Sequence, residues 1–344
     1  MFVVLQTSFL GDMVLTTPLI DRLARRGAVD VVATPANAPL LANHPSVRRV
    51  IVFDKRATDA GLSGLRRVAS ALRESEADTA YLAQGSVRTA ALARLAGIPQ
   101  RIGFASSPGR VLYTSRVPFR RALHHGQRLW QLASDVHDPS APTVRPSLYP
   151  GADEVAQVDA VLHEHRVAAS VPLIALAPGS VWATKRWPSF DALAVGIASH
   201  VSLRAARIVV LGAASDAPLA HGIGDALRAA NLDAPVDATG RLSLLASAAL
   251  LARAAVLVTN DSAPLHLASA MNTPTVALFG PTVPGFGFGP LADRSRVVER
   301  QGLACRPCHA HGPQRCPLGH WHCMRALSPD RIVDEIRALL PATQ

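Results

Sequence analysis

The chain has 344 residues, more than one hydrophobic core usually organises, so two domains of ordinary size are expected. Apolar residues make up 49% of it and charged residues 17%, which supplies a core to each half and excludes intrinsic disorder. A net charge of +10 favours anionic partners, whether nucleic acid, phosphorylated lipid or a phosphorylated small molecule, without choosing among them.

The opening residues, 1–6, lack a basic n-region and a small-residue cleavage site, and Asp12 interrupts the apolar run. They read as a first strand, and the chain is expected to be cytoplasmic. Further strands are expected at 29–33, 50–53 and 79–83. Between the last two, residues 62–75 place Leu62, Leu65, Val68, Ala69 and Leu72 on one helical face, opposed by Arg66, Arg67, Arg73 and Glu74. Such strand and helix alternation builds a parallel sheet covered on both faces. A Pro-dense stretch at 138–151 can continue neither a helix nor a central strand, and it marks the linker between a domain of residues 1–150 and one of 151–344. A helix at 152–166 then leads to strands near 172–177, 207–211, 235–238, 255–259 and 275–279. The most apolar window, 242–259, is broken by Arg253 and turns from Ala/Leu-rich to Val-rich. It reads as a buried helix feeding a buried strand, not as a membrane span. The glycosylation sequon at Asn260 is accidental in a chain without a secretory signal. The whole is an α/β protein of two facing Rossmann-like domains with parallel sheets.

Ligands of open parallel sheets collect at the carboxyl ends of the strands, so the loops there carry the candidate chemistry. After the first strand, Gly11 permits a close backbone approach, and Asp12 reads either as a general base or as a helix cap stabilised by the dipole. Pro18 implies a kink, or a helix that begins later with Thr17 as its cap. The loop 178–188 offers small and hydroxyl residues, Ser180 and Thr184 among them, followed by Lys185 and Arg186. That composition suits a phosphate-wrapping loop without Walker A spacing, or an anchored surface loop. Asp216, just past a strand end, suits ribose hydroxyls or a helix cap. At 259–266 a strand passes directly into a helix with Pro264 in its first turn, where bare amides attract an anion. Asp261, Ser262 and His266 there read as ligand contacts, or as capping and packing residues.

All four cysteines, Cys305, Cys308, Cys316 and Cys323, fall in one window with His309, His311, His320 and His322 interleaved. With no export signal a disulfide framework is not expected. The alternatives are a structural zinc site with non-standard spacing and reduced, packed thiols. Lys occurs only at Lys55 and Lys185 in an Arg-dominated chain. The Arg residues are dispersed and carry no aromatic-rich partner stretch, which argues against a nucleic-acid-binding protein with a Cys/His zinc module.

Taken jointly, Gly11-Asp12, Pro178-Gly-Ser through Lys185-Arg-Trp-Pro188, Thr259 through His266 and Phe279-Gly-Pro-Thr282 resemble glycosyltransferase family 9, the lipopolysaccharide heptosyltransferases. Cys305-Arg-Pro-Cys308 and Cys316-Pro-Leu-Gly-His320 resemble the C-terminal region of its type II members. The resemblance spans nearly the whole chain and implies a GT-B fold, with the acceptor bound by the N-terminal domain and ADP-heptose by the C-terminal one. It implies an inverting, metal-independent reaction without a cofactor, with Asp12 as the base and Lys185 stabilising the leaving diphosphate. Ser180, Thr184, Asp216, Asp261, Ser262, Ala263 and His266 would contact the donor, with Thr239 and Gly240 near the nucleotide. Ala263 stands where members often have Gly, which limits backbone approach to the phosphate. Lys55, Arg56, Arg66, Arg67, Arg120 and Arg121 are acceptor candidates for the phosphates of the lipid A and inner-core (Kdo/heptose) region, or else solvated helix charges. Contact with the inner membrane would be peripheral and electrostatic. Another GT-B nucleotide-sugar transferase, or an epimerase of similar architecture, is the competing enzyme reading.

Overall fold

The computed structural model describes residues 1–134 and 142–340. The chain divides into two compact units, Met1–Tyr149 and Pro150–Gln344. The first runs β1 (Phe2–Gln6), α1 (Leu10–Ala24), β2 (Val29–Ala33), β3 (Arg49–Val52), α2 (Gly61–Arg73), β4 (Thr79–Leu82), α3 (Val87–Leu95), β5 (Gln100–Phe104), β6 (Ser115–Val117) and α4 (His125–Gln131). The Pro-dense stretch is irregular from 142 to 150, and its residues 138–141 lie outside the described residues. The second unit runs α5 (Ala152–Glu164), β7 (Leu173–Ala177), α6 (Phe190–Ser199), β8 (Arg207–Val210), α7 (Ala217–Ala229), β9 (Val236–Asp237), α8 (Leu244–Arg253) and β10 (Ala254–Asn260). It continues with α9 (Ala263–Met271), β11 (Thr275–Phe279), β12 (Ser295–Glu299), α10 (His322–Arg325) and α11 (Pro329–Leu339).

Each unit holds one six-stranded sheet, ordered β3-β2-β1-β4-β5-β6 in the first and β12-β11-β10-β7-β8-β9 in the second. The ladders are parallel, from Phe2 opposite Val29 and Thr79 in the first sheet to Leu257 opposite Ala175 and Thr275 in the second. Both orders are those of a doubly wound nucleotide-binding sheet, in which the path reverses at one strand pair. The reversal lies between β1 and β4 in one unit and between β7 and β10 in the other.

Because helices cover both faces, the central strands are buried on both sides, which is why they read as continuous apolar runs. Alternate residues feed opposite faces: Ile174, Leu176, Val256, Val258, Val276 and Leu278 pack with α6, α7 and α11, whereas Ala277 and Phe279 meet Leu265 of α9. In the first unit Val3, Leu5, Val32, Ala80 and Leu82 pack with the apolar stripe of α2, Leu65, Val68, Ala69 and Leu72.

The structure corrects several expectations. Helix α1 does not begin late with Thr17 as its cap; it starts at Leu10 and runs through Pro18. Proline cannot donate to the carbonyl four residues back, Val14 O, and Thr17 Oγ1 takes that role at 2.9 Å. The same hydroxyl accepts the Ser147 amide at 2.9 Å. Strands β5, β6 and β12 lie where none was expected. Strands β6 and β12 are sheet edges, so burial on their outer side is not required, and β6 has only three residues. Gln100-Arg-Ile-Gly-Phe104 lacks an apolar run because Gly103 makes room for Tyr113, whose ring carbon Cε2 would lie 2.4 Å from a Cβ there.

Candidate functional site

At the β1/β4 switch point the loop after β1 gathers side chains from several strand ends. Lys55 Nζ donates to Thr7 O at 2.6 Å, Asn37 Nδ2 to Ser8 O at 3.0 Å, and Thr7 Oγ1 to Gln84 Oε1 at 3.4 Å. Asp12 lies in the first turn of α1, but the cap reading does not hold, since that helix has no side-chain cap. Its Oδ2 instead accepts Ser8 Oγ at 2.6 Å, and its Oδ1 faces His125 Nε2 at 3.6 Å. Ser8 Oγ also lies 2.7 Å from Gln6 Oε1, whose amide is oriented by donation of Gln6 Nε2 to Thr16 Oγ1 at 3.1 Å. Burial pushes the His125 imidazole below its ordinary value; Asp12 opposes this and Arg128 adds to it.

The cationic candidates divide. Lys55 is half-buried, and its ammonium is held below the ordinary lysine value by burial and then by the charges of Arg56 and Arg88. Arg88 joins this group by donating to Lys55 O at 2.9 Å, a role the sequence reading missed. Arg56, Arg66 and Arg121 are exposed, and Arg120 is partly buried. Arg67 departs from the expectation, because its guanidinium is committed to the buried carboxylate of Asp59. Arg128, also missed, is buried and holds the Arg120 and Arg121 carbonyls at 3.1 and 2.5 Å.

At the β7/β10 switch point the loops 178–188 and 261–263 meet. Asn260 ties them, donating through Nδ2 to Pro178 O at 2.8 Å and accepting the Trp187 amide at 3.1 Å. Lys185 and Asp261 are both buried, and Lys185 Nζ donates to Asp261 Oδ2 at 2.6 Å. Thr282 Oγ1 donates to the same oxygen at 2.6 Å. An ammonium carries three protons, so this pairing leaves Lys185 capacity for an anion. Beside it, Ser262 precedes α9 in an extended conformation and does not cap the helix with its side chain; its Oγ turns to Asn260 O at 3.4 Å. Ala263 opens the helix. The first-turn amides and the positive dipole end thus stand next to the Lys185 ammonium, a setting for a phosphate.

The other donor candidates each have local partners. Asp216 acts as a cap: its Oδ2 accepts the Ala213 amide at 3.0 Å. Its carboxylate presses on Gly179, where a Cβ would lie 2.4 Å from Oδ2. Gly240 adopts φ +69 and donates to Gly212 O at 2.9 Å. The Thr239 hydroxyl and amide both donate to Asp237 Oδ1, at 2.6 and 2.9 Å. His266 is buried edge-on to Phe288, with ring centroids 6.2 Å apart. Ser180 accepts the Trp182 amide at 3.3 Å, and both the Thr184 amide and hydroxyl donate to Pro313 O.

Among the described residues no group of three or more His, Cys, Asp or Glu side chains is arranged to hold a metal ion, and the four cysteines form no disulfide. Cys323 is packed into the core beside Met324 and Leu327. Cys308 Sγ donates to Cys305 O at 2.9 Å, and burial, then the neighbouring Cys305 and Cys316, push its thiol up. Cys316 differs: burial raises it, but the amides of Trp321, Leu318, Gly319 and His320 outweigh that and hold it below the ordinary thiol value.

A family model described as glycosyltransferase family 9 (heptosyltransferase) matches residues 65–322. The chain is 26% identical to lipopolysaccharide heptosyltransferase 2 of Escherichia coli (strain K12), over 98% of this chain and 97% of that one. It is 28% identical to lipopolysaccharide heptosyltransferase 1 of Pseudomonas aeruginosa, over 98% of each. The solved structure of Escherichia coli ADP-heptose LPS heptosyltransferase II matches with a TM-score of 0.80 at 27% identity, covering 98% of both chains.

Proposed function

The chain belongs to glycosyltransferase family 9, the heptosyltransferases, and we propose that it moves heptose from ADP-heptose to the inner core of lipopolysaccharide by an inverting, metal-independent displacement. Its two Rossmann-like units are those of the GT-B fold class. The observation that carries the reading is the buried Lys185 ammonium at the β7/β10 switch point, beside the start of α9.

In this reading the acceptor hydroxyl oxygen attacks the anomeric carbon while the bond from that carbon to the diphosphate oxygen breaks. The bonding pair leaves with ADP, whose growing charge is met by Lys185 and the α9 amides. Asp12 takes the hydroxyl proton. Ser8 suits both states of that base: its O–H donates to the Asp12 carboxylate at 2.6 Å and turns to Gln6 Oε1, 2.7 Å away, once Asp12 is protonated. Thr184 and Asp261 position Lys185, and Asp216, Thr239 and Gly240 shape the nucleotide floor. Lys55 and Arg56, joined by Arg88, meet acceptor phosphates, with Arg66, Arg120 and Arg121 at the margin. Arg67, spent on Asp59, is set aside from that role. No helix among the described residues is long and apolar enough to cross a membrane. The lipid-linked acceptor is then reached by peripheral, electrostatic contact at the inner face of the inner membrane.

A transfer assay with ADP-heptose and defined inner-core acceptors tests the proposal and separates first from second heptose addition. Asp12→Ala should abolish transfer while calorimetric donor binding persists; turnover within a few-fold of the parent removes Asp12 as the base. Lys185→Ala should weaken donor binding and turnover together. Equal binding of UDP- or GDP-sugars overturns the donor assignment, retained anomeric configuration overturns the single displacement, and loss of rate in chelator overturns metal independence.

A further inference from the structure

Between β12 and α10 the chain runs from 300 to 321 without helix or strand, a length at which loops usually serve a function. Its root is nailed to the loop after β11. The Arg306 guanidinium donates to Thr282 O and pairs with Glu299, both at 2.8 Å, and the Cys308 amide donates to Pro281 O at 2.9 Å. From there residues 312–314 cross the Lys185 loop. Pro313 O accepts the Thr184 amide at 3.4 Å and the Thr184 hydroxyl. Gln314 grips the same segment twice, accepting the Ala183 amide through Oε1 at 3.0 Å and donating through Nε2 to Val181 O at 3.0 Å. Gly312, at φ +84, lies against the Lys185 stem, where a Cβ would stand 3.2 Å from Cγ and 3.3 Å from Cε.

Locally, Lys185 has little to hold it. It ends a single turn of three residues, and the turn's own backbone bonds are Lys185 N to Trp182 O at 3.0 Å and Arg186 N to Ala183 O at 3.1 Å. A turn that short does not hold a geometry by itself. We propose that residues 312–314 are a strap that fixes Lys185 against the donor diphosphate, with Gln314 as a positioning residue acting through Lys185. Gln is suited to this because one side-chain amide supplies both the acceptor and the donor that the 181–183 backbone requires. The absence of a side chain at Gly312 lets the strap lie flat on the lysine. The strap rests on the leaving-group role given to Lys185 above, and it assigns the Cys-rich segment a task in transfer that needs no metal.

A double-mutant cycle in the transfer assay tests it, using Gln314→Ala, Lys185→Ala and the pair in the full chain, with melting curves confirming that each variant is folded. Gln314→Ala should lower kcat roughly tenfold at saturating donor, as expected for a misplaced catalytic group, with the acceptor KM unchanged. The double variant should be no slower than Lys185→Ala alone. Losses that multiply, or a folded Gln314→Ala within twofold of the parent, overturn the strap. A Lys185→Ala variant as fast as the parent overturns the leaving-group reading itself, a result distinguishable because it needs no strap variant. If Gln314→Ala does not fold, Gln314→Met and Gly312→Ala put the same question, and full kcat in both overturns the proposal.

Discussion

Removing the Asp261 carboxylate is the sharpest test of the second site's electrostatics. Lys185 and Asp261 side chains are only 10% and 8% exposed, and their charged atoms lie 2.6 Å apart. In Asp261→Ala the ammonium remains buried without its counter-ion, and Thr282 Oγ1 loses its acceptor. Deleting one partner of such a pair costs about 3–5 kcal/mol, because the surviving charge keeps its desolvation penalty. For a unit of this size that lowers Tm by roughly 6–20 °C. Urea unfolding followed by the fluorescence of Trp182 and Trp187 would report the second unit, while Trp130 serves the first. Asp261→Asn, which keeps an acceptor but not the charge, should fall between parent and alanine variant. Replacing both residues by apolar ones of similar size should recover most of the loss. A cost below about 1 kcal/mol for Asp261→Ala, the range of exposed pairs, would refute the buried-pair argument.

Three further outcomes are expected. Thr17→Val should destabilise the first unit by about 1–3 kcal/mol in thermal melts, since it strips Val14 O of its donor and the Ser147 amide of its acceptor. Asp30 has a fully buried side chain; burial alone would raise its carboxyl, but bonds from Arg48 and Ser75 and the Arg48 and Arg49 charges hold it below the usual range. Its stabilisation is therefore complete above the unfolded value of about pH 4 and fades as pH falls through the lower folded value, so Asp30→Asn should flatten the acid limb of the stability curve. Mild alkylation at neutral pH should label Cys316 first and Cys323 last, read by peptide mass spectrometry, since amides favour the Cys316 thiolate while burial disfavours that of Cys323.

Much of the architecture is written locally. Strands β1, β2 and β11 lie where their apolar runs place them, because burial on both sheet faces demands such runs. Helix α2 follows from a 3.6-residue stripe. The loops after β1, β7 and β10 were legible as candidate site loops, since parallel sheets bind at their carboxyl ends. The edge strands β6 and β12 were not, because an edge is half-covered and needs no such run.

What pairs with what across the site belonged to the tertiary structure alone. Lys185 and Asp261 were each visible as candidates, but only the pairing of β7 with β10 brings residues 76 apart into one buried ion pair. Arg67 and Arg66 look alike in sequence, yet one is consumed by Asp59 and the other faces solvent. His125 reaches Asp12, and Gln314 reaches the Lys185 loop, through contacts that no local period announces. Periodicity records which face of an element is buried. The partner of a polar side chain depends on how separate elements are brought together, so Lys185 was legible as a cation on a loop but not as one held by Asp261 and strapped by residues 312–314.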